Sequence, residues 1–207
     1  MKIEDVEVMG LRKAFKAMRN PMNSWNESDS KYITETNKYI LGEKDLALAL
    51  KLVKAGKSHR KFLRQIHVSV DLTLPRYIWQ ELDTYKVSTV RNSCSTMHKL
   101  GSVDLTKEDF QDDFVLPETL MWLNNMGASY RNNKSIEILR SMKIILPEGF
   151  LQKATYDCNY ETLITIYFDR HNHRMSEWSG EGGICQWILS LPYMKDFINV
   201  LKNNKNG

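Results

Sequence analysis

The sequence predicts an α+β protein, helix-rich, with at least one central strand. Three observations carry that expectation. Residues 65–74, QIHVSVDLTL, alternate with period two and put Ile66, Val68, Val70, Leu72 and Leu74 on one face. Residues 42–56, GEKDLALALKLVKAG, have helical spacing. A long helical zone, LPETLMWLNNMGASYRNNKSIEILRSMKIILP, fills residues 116–147.

In chain order, MKIEDVEVMG alternates apolar and charged residues and reads as a first strand. LRKAFKAMRNP is helical and stops before Pro21. In the helix at 42–56, Leu46, Leu48, Leu50, Leu52 and Val53 are expected on the core side, with Gly56 as the stop. Pro75 ends the strand and suits the first turn of a helix, PRYIWQELDTYK. Residues 88–98, STVRNSCSTMH, are small and hydroxyl-rich without a period and read as a loop, where sites are often built. The 116–147 zone is expected to break near Gly127. Helices YETLITIYFDRH, EGGICQWILSL and MKDFINVLK complete the chain.

At 207 residues, the chain is expected to form one domain over 1–201 with a flexible tail at 202–207. It has no apolar run of the roughly 18 residues that a membrane helix needs. The first residues lack an apolar export core. Three cysteines at irregular spacing suit reduced thiols in a cytosol. The net charge of +4 does not demand nucleic acid, and small anionic ligands explain the local cluster KAGKSHRKFLR equally well. The histidines and cysteines lack metal-ligand spacing, so no metal is expected.

One stretch raises a sharper question. Leu146-Pro147 is followed by Lys153 six residues after the proline, Asn159 at twelve, and Arg170 eleven beyond that asparagine, with Trp178 further on. The stretch after Asn159 ends in RHNHR. Two readings stand for Lys153 and Arg170: solvated surface cations, or a seat for an anion. The cations and histidines near the helix end also suit its macrodipole. Asn159 equally reads as a plain N-cap.

This spacing resembles the flavin-dependent thymidylate synthases, the ThyX family, in which a Leu-Pro, two dUMP-binding arginines and an intervening asparagine stand in the same register. The earlier part agrees in layout. His59 precedes the strand, Pro75 opens the helix, and YKVSTVRNSCSTMH occupies the place of the family's Arg-His-Arg-x-x-Ser-x-Asn-Glu-x-Ser-x-Arg. The resemblance spans about residues 45–180. It implies a ThyX-like fold with a central mixed or antiparallel sheet and a helical bundle.

The family motif is only partly kept. Without a gap, Thr84-Tyr85-Lys86 replace Arg-His-Arg and Thr89 takes the place of Ser; with one inserted residue, Asn92 and Ser95 match. Lys86 alone keeps a positive charge there. Lysine at 153 and 86 retains charge but loses the planar two-bond fork of arginine. Each lost charge-assisted bond is worth roughly 1.5–3 kcal/mol, so FAD is expected to bind weakly.

The resemblance therefore implies a nucleotide-binding protein, catalytically degenerate, that captures or sequesters a nucleotide at a pocket between subunits of a homotetramer. The phosphate-contacting candidates are Lys153, Arg170, Lys86, Ser88, Thr89, Asn92 and Ser95. Ser95 is also the catalytic candidate, and His59, Asn159 and Tyr85 are the cofactor candidates. By residue type alone, His59 and His98 read more readily as ordinary polar residues than as ligands. The alternative is a working synthase with an altered flavin site, converting dUMP to dTMP with methylenetetrahydrofolate, NADPH and FAD. A structural module without a ligand is the third reading. A bacterial or phage-infected cytosol is the expected setting.

Overall fold

The computed structural model describes residues 1–36 and 38–205, and the side chains of His98, Asn204 and Lys205 lie outside that description. The described elements are β1 (Lys2–Met9), α1 (Leu11–Ala17), β2 (Lys31–Ile33), β3 (Lys38–Ile40), α2 (Glu43–Lys54), β4 (His67–Pro75), α3 (Arg76–Leu82), β5 (Val90–Ser93), α4 (Thr96–Lys99), α5 (Pro117–Asn133), α6 (Ile136–Ile145), β6 (Leu151–Asn159), α7 (Tyr160–Arg170), α8 (Ser176–Ser179), α9 (Ile184–Ser190) and α10 (Met194–Lys205). Four strands form a sheet in the order β1-β4-β6-β5, and β2 and β3 form a separate antiparallel hairpin with Tyr32 opposite Tyr39. This is the helix-rich α+β class the sequence predicts.

Strand β4 keeps its alternation: Val68, Val70, Leu72 and Leu74 are buried, while Ser69, Asp71 and Thr73 are partly exposed. Strand β6 alternates likewise, with Ala154, Tyr156 and Cys158 buried and Lys153, Thr155 and Asp157 exposed.

Three expectations need correction. Residues 88–98 are not wholly loop, because Val90–Ser93 pair as the end strand β5 and Thr96–Lys99 make one helical turn. The helical zone does not break at Gly127. Helix α5 runs through it and ends at Lys134, whose φ of 53° reverses the chain before Ser135 caps α6. Gly127 is instead a place of close approach, since a Cβ there would stand 3.4 Å from the Gly101 Cα. On α2 the fully buried positions are Asp45, Ala49 and Val53, spaced by one turn each, and Leu46, Leu48, Leu50 and Leu52 are only half-buried. Helix α10 covers the first residues of the expected tail, and Asn206 and Gly207 lie outside the described residues.

The chain forms two compact units. The first comprises Met1–Asp5, Val70–Lys86 and Val90–Tyr156, and the second comprises Val6–Ser69, Val87–Thr89 and the chain from Asp157 onward. In the first, α5 packs on α6 around Leu100, Phe110, Leu123, Leu139, Met142 and Leu146. The first N–H groups of α3 have no side-chain cap and are satisfied by the carbonyls of Phe150 and Glu148, at 3.2 and 3.3 Å. In the second, α10 packs on α2, α7 and α9. An aromatic cluster gathers there: Phe15 stands 5.8 Å from Phe62 and 5.6 Å from Tyr193, and Phe62 stands 6.0 Å from Phe197.

Candidate functional site

The sequence-predicted residues divide between the two units. Tyr85, Lys86, Asn92, Ser95 and Lys153 belong to the first, and His59, Ser88, Thr89, Asn159 and Arg170 to the second.

In the first unit, Lys153 projects from β6 into a charged cluster. Its ammonium lies 2.9 Å from an Asp71 carboxylate oxygen and 3.8 Å from Glu4. Thr155 donates to the other Asp71 oxygen at 2.6 Å. Lys86 and Asn92 are exposed, and among the described residues Lys86 has no ion-pair partner. Ser95 caps the single turn of α4 by accepting from the Met97 N–H at 3.2 Å. Its hydroxyl is therefore engaged as an acceptor.

In the second unit, Asn159 is buried and its side-chain oxygen accepts from the Thr162 N–H at 2.9 Å, making it a true N-cap of α7. The Thr162 hydroxyl donates to the Val87 carbonyl at 2.8 Å, so the backbone beside Ser88 and Thr89 is held at the first turn of α7. Ser88 sits in the left-handed region at φ 55°, uncommon for a residue with a Cβ. Arg60 grips Glu161 of the same turn through two nitrogens, at 2.8 and 3.1 Å.

Arg170 ends α7, with its guanidinium 5.1 Å from the centroid of buried Trp178. The two histidines of RHNHR pack locally, and Asn172 and Arg174 are exposed. His171 stacks on Tyr167 at 5.2 Å, and His173 accepts from the Met175 N–H at 3.1 Å. Burial pushes the nearby Cys185 thiol up to about 11, against the opposing effect of Arg170.

A cavity of about 1150 Å³ lies within the second unit. His59 lines it, with the cations Arg19, Lys44 and Lys61 and the apolar side chains of Leu48 and Phe62. Leu48 and Leu52 face this space rather than a closed core, which accounts for their half-burial. Its wall is braced by Arg19, whose Nε donates to Asp45 at 2.6 Å, while Ser28 and Ser30 donate to the other Asp45 oxygen. Of these lining residues, His59 is singled out from the sequence, and Arg19 and Lys44 are not. The available signal was an acid, Asp45, on the buried stripe of α2, which demands a buried cation. Among the described residues, no group of three His, Cys, Asp or Glu is placed to hold a metal ion, and no helix is long and apolar enough to cross a membrane.

This architecture is the fold of the flavin-dependent thymidylate synthases. Among solved structures, the chain is similar to ThyX from Helicobacter pylori with FAD and dUMP, at TM-score 0.71 and 17% identity over 98% of this chain and 100% of that one. A second structure of the Helicobacter pylori enzyme complexed with FAD and dUMP gives TM-score 0.63 and 17% identity, covering 99% and 93%. The UMP/dUMP methylase PolB from Streptomyces cacaoi, bound with 5-Br dUMP, gives 0.58 and 11%, covering 99% and 94%. No protein-family model matches the sequence, and no curated protein matches it. At such identities the likeness is one of fold.

Proposed function

We propose that this chain is a nucleotide-binding protein on the flavin-dependent thymidylate synthase fold, degenerate in its flavin chemistry. The observation that carries the reading is the cavity of about 1150 Å³ at His59, where apolar walls suit a base and Lys44 and Lys61 suit a phosphate. The fold likeness to proteins solved with dUMP or 5-Br dUMP supports it. In the second unit Arg170 and the hydroxyls of Ser88 and Thr89, and in the first unit Lys153, are further candidate phosphate contacts, each to be completed by another subunit of a homotetramer. The three free cysteines suit a reducing cytosol, bacterial or phage-infected.

The degenerate part rests on the stretch that replaces the family's flavin-binding motif. The Thr84 hydroxyl turns back to the Glu81 carbonyl at 2.7 Å, Arg91 is held by Asp83 at 2.7 Å, and Lys86 offers only a point charge. Such donors fit a flavin dinucleotide poorly, so FAD binds weakly and little methyl transfer follows.

A thermal-shift panel of dUMP, UMP, cyclic nucleotides, NAD derivatives and FAD tests both parts. A ligand at about 100 times its dissociation constant stabilises by about 2.7 kcal/mol. The expected result is a shift with a nucleotide from a protein that stays colourless in FAD. A yellow stoichiometric complex would move the assignment to a working synthase with an altered flavin site, the reading that likeness to FAD-bound enzymes favours. No shift with any nucleotide leaves a structural module and sinks the proposal. Light scattering checks the tetramer, and a strict monomer removes the intersubunit pocket.

A further inference from the structure

We propose that the first unit carries a separate anion site, suited by its charge to a phosphate group, on the sheet face opposite Lys153. The site is a cavity of about 300 Å³. Three cations line it: Arg76 of α3, Arg91 of β5 and Lys143 of α6. They are joined by Trp79, Thr96 and Gln152.

The face follows from strand geometry. Successive side chains on a strand point to opposite sides, so Gln152 and Lys153 of β6 diverge, as do Arg91 and Asn92 of β5. The contacts agree with that split. Gln152 meets Arg91 at 3.5 Å, whereas Lys153 meets Asp71 at 2.9 Å. Leu146, Arg91 and Thr96 of the lining belong to stretches that carry the family resemblance, but none is among the phosphate or cofactor candidates it implies, and the cavity shares no lining residue with the one at His59.

The charges do not cancel. Asp83 pairs with Arg91 at 2.7 Å, and Glu148 pairs loosely with Arg76 at 3.4 Å. Among the described residues Lys143 has no partner, so one positive charge is left over even when both carboxylates are counted. Both of those carboxylates are about half exposed, at 51% and 50%. An incoming anion can therefore take over a guanidinium edge while Asp83 or Glu148 returns to water.

The arginines are set before any ligand arrives. Arg91 lies 4.6 Å over the Trp79 ring, and the Trp79 N–H is fixed by the Gln152 carbonyl at 2.8 Å. Arg76 donates to the Leu146 carbonyl at 3.3 Å. Held this way, the forks lose little side-chain entropy on binding. The buried Trp79 ring is covered by Arg91, so no base can stack on it. That selects phosphate itself, inorganic or singly esterified, over a nucleotide read through its base.

Calorimetric titration of the full chain with inorganic phosphate, and separately with ribose 5-phosphate, tests the site. Saturable binding in the millimolar range or tighter is expected, weakened about tenfold or more in Lys143→Gln, the equivalent of one charge-assisted bond. Binding followed at the Trp79 resonance, rather than by total heat, separates this site from the cavity at His59, which does not contain Trp79. Tighter binding of the ester identifies a sugar phosphate as ligand; equal binding identifies the free ion. The Trp79 indole N–H resonance, assigned with Trp79→Phe, shifts on titration and checks the location independently of any folding defect. Absence of saturable binding, an affinity unchanged in Lys143→Gln, or an unmoved Trp79 resonance overturns the site.

Discussion

The Lys153 ammonium stands 2.9 Å from Asp71 and is already neutralised by it. The hydrogen bond from Thr155 first, and that from Lys153 second, hold the Asp71 carboxyl below its ordinary value. The hydrogen bond to Asp71, reinforced by its charge, raises Lys153. A phosphate approaching Lys153 therefore meets a cation shared with Asp71 and, at 3.8 Å, Glu4.

The first prediction follows from that competition. Asp71→Asn should tighten nucleotide binding a few-fold by releasing Lys153, and Lys153→Ala should weaken it. Calorimetry with dUMP reads both. If neither variant changes affinity, Lys153 serves the sheet surface alone and its place in the phosphate seat is lost.

The second concerns Arg19 and Asp45, both buried, with Nε to carboxylate at 2.6 Å. Burial pushes the Asp45 carboxyl up, but hydrogen bonds from Ser28, Ser30 and Arg19 together with the Arg19 charge hold it below 3.8. A carboxyl depressed in the folded state adds stability above its ordinary pKa and loses it as the pH falls through the folded value. Asp45→Asn leaves Arg19 buried without its counter-charge and should cost about 3–5 kcal/mol at neutral pH. Urea unfolding at pH 7 and below about pH 4 checks this, because the gap between wild type and variant should narrow in acid.

How far the sequence goes is visible in the same elements. The alternation of β4 and the cap at Asn159 are local patterns, and both are found where the spacing puts them. Strand β6 carries the same alternation, Ala154, Tyr156 and Cys158 against Lys153, Thr155 and Asp157, yet no strand is expected there from the sequence, and of these residues only Lys153 is singled out, for its charge. Strand β5 was not legible. Val90, Arg91, Asn92 and Ser93 are a short end strand without a fully buried face, so burial left no period in them. The leucines of α2 misled because a cavity, rather than packed core, lies beside two of them. Arg76, Arg91 and Lys143 lie too far apart in sequence for any motif to join them; only the fold makes them one cavity.

The third prediction separates the two roles open to Asn159. Its oxygen caps α7 through the Thr162 N–H. Asn159→Ala should destabilise the protein by about 1–2 kcal/mol in urea unfolding, and Asn159→Ser should restore most of that. If Asn159→Ser also keeps nucleotide affinity, the residue acts as a cap. A loss of affinity at preserved stability would make its amide a ligand contact.

The fourth uses the thiols as reporters of the second unit's core. Cys94 is exposed, whereas Cys158 and Cys185 are buried. Burial, helped by the charge of Asp157, pushes Cys158 up to about 12, and burial pushes Cys185 to about 11 despite Arg170. Thiolate is the reactive form, so at neutral pH both buried thiols are doubly protected, by access and by protonation. Titration with an aromatic disulfide reagent should modify Cys94 at once and the other two only as fast as the protein unfolds. Cys185 is the informative residue, because it lies on α9, which packs against α7 and α8. Its rapid modification, with Cys158 still protected, would show that α9 opens locally, and Arg170 over Trp178 would then be a mobile pair unable to hold an anion in place.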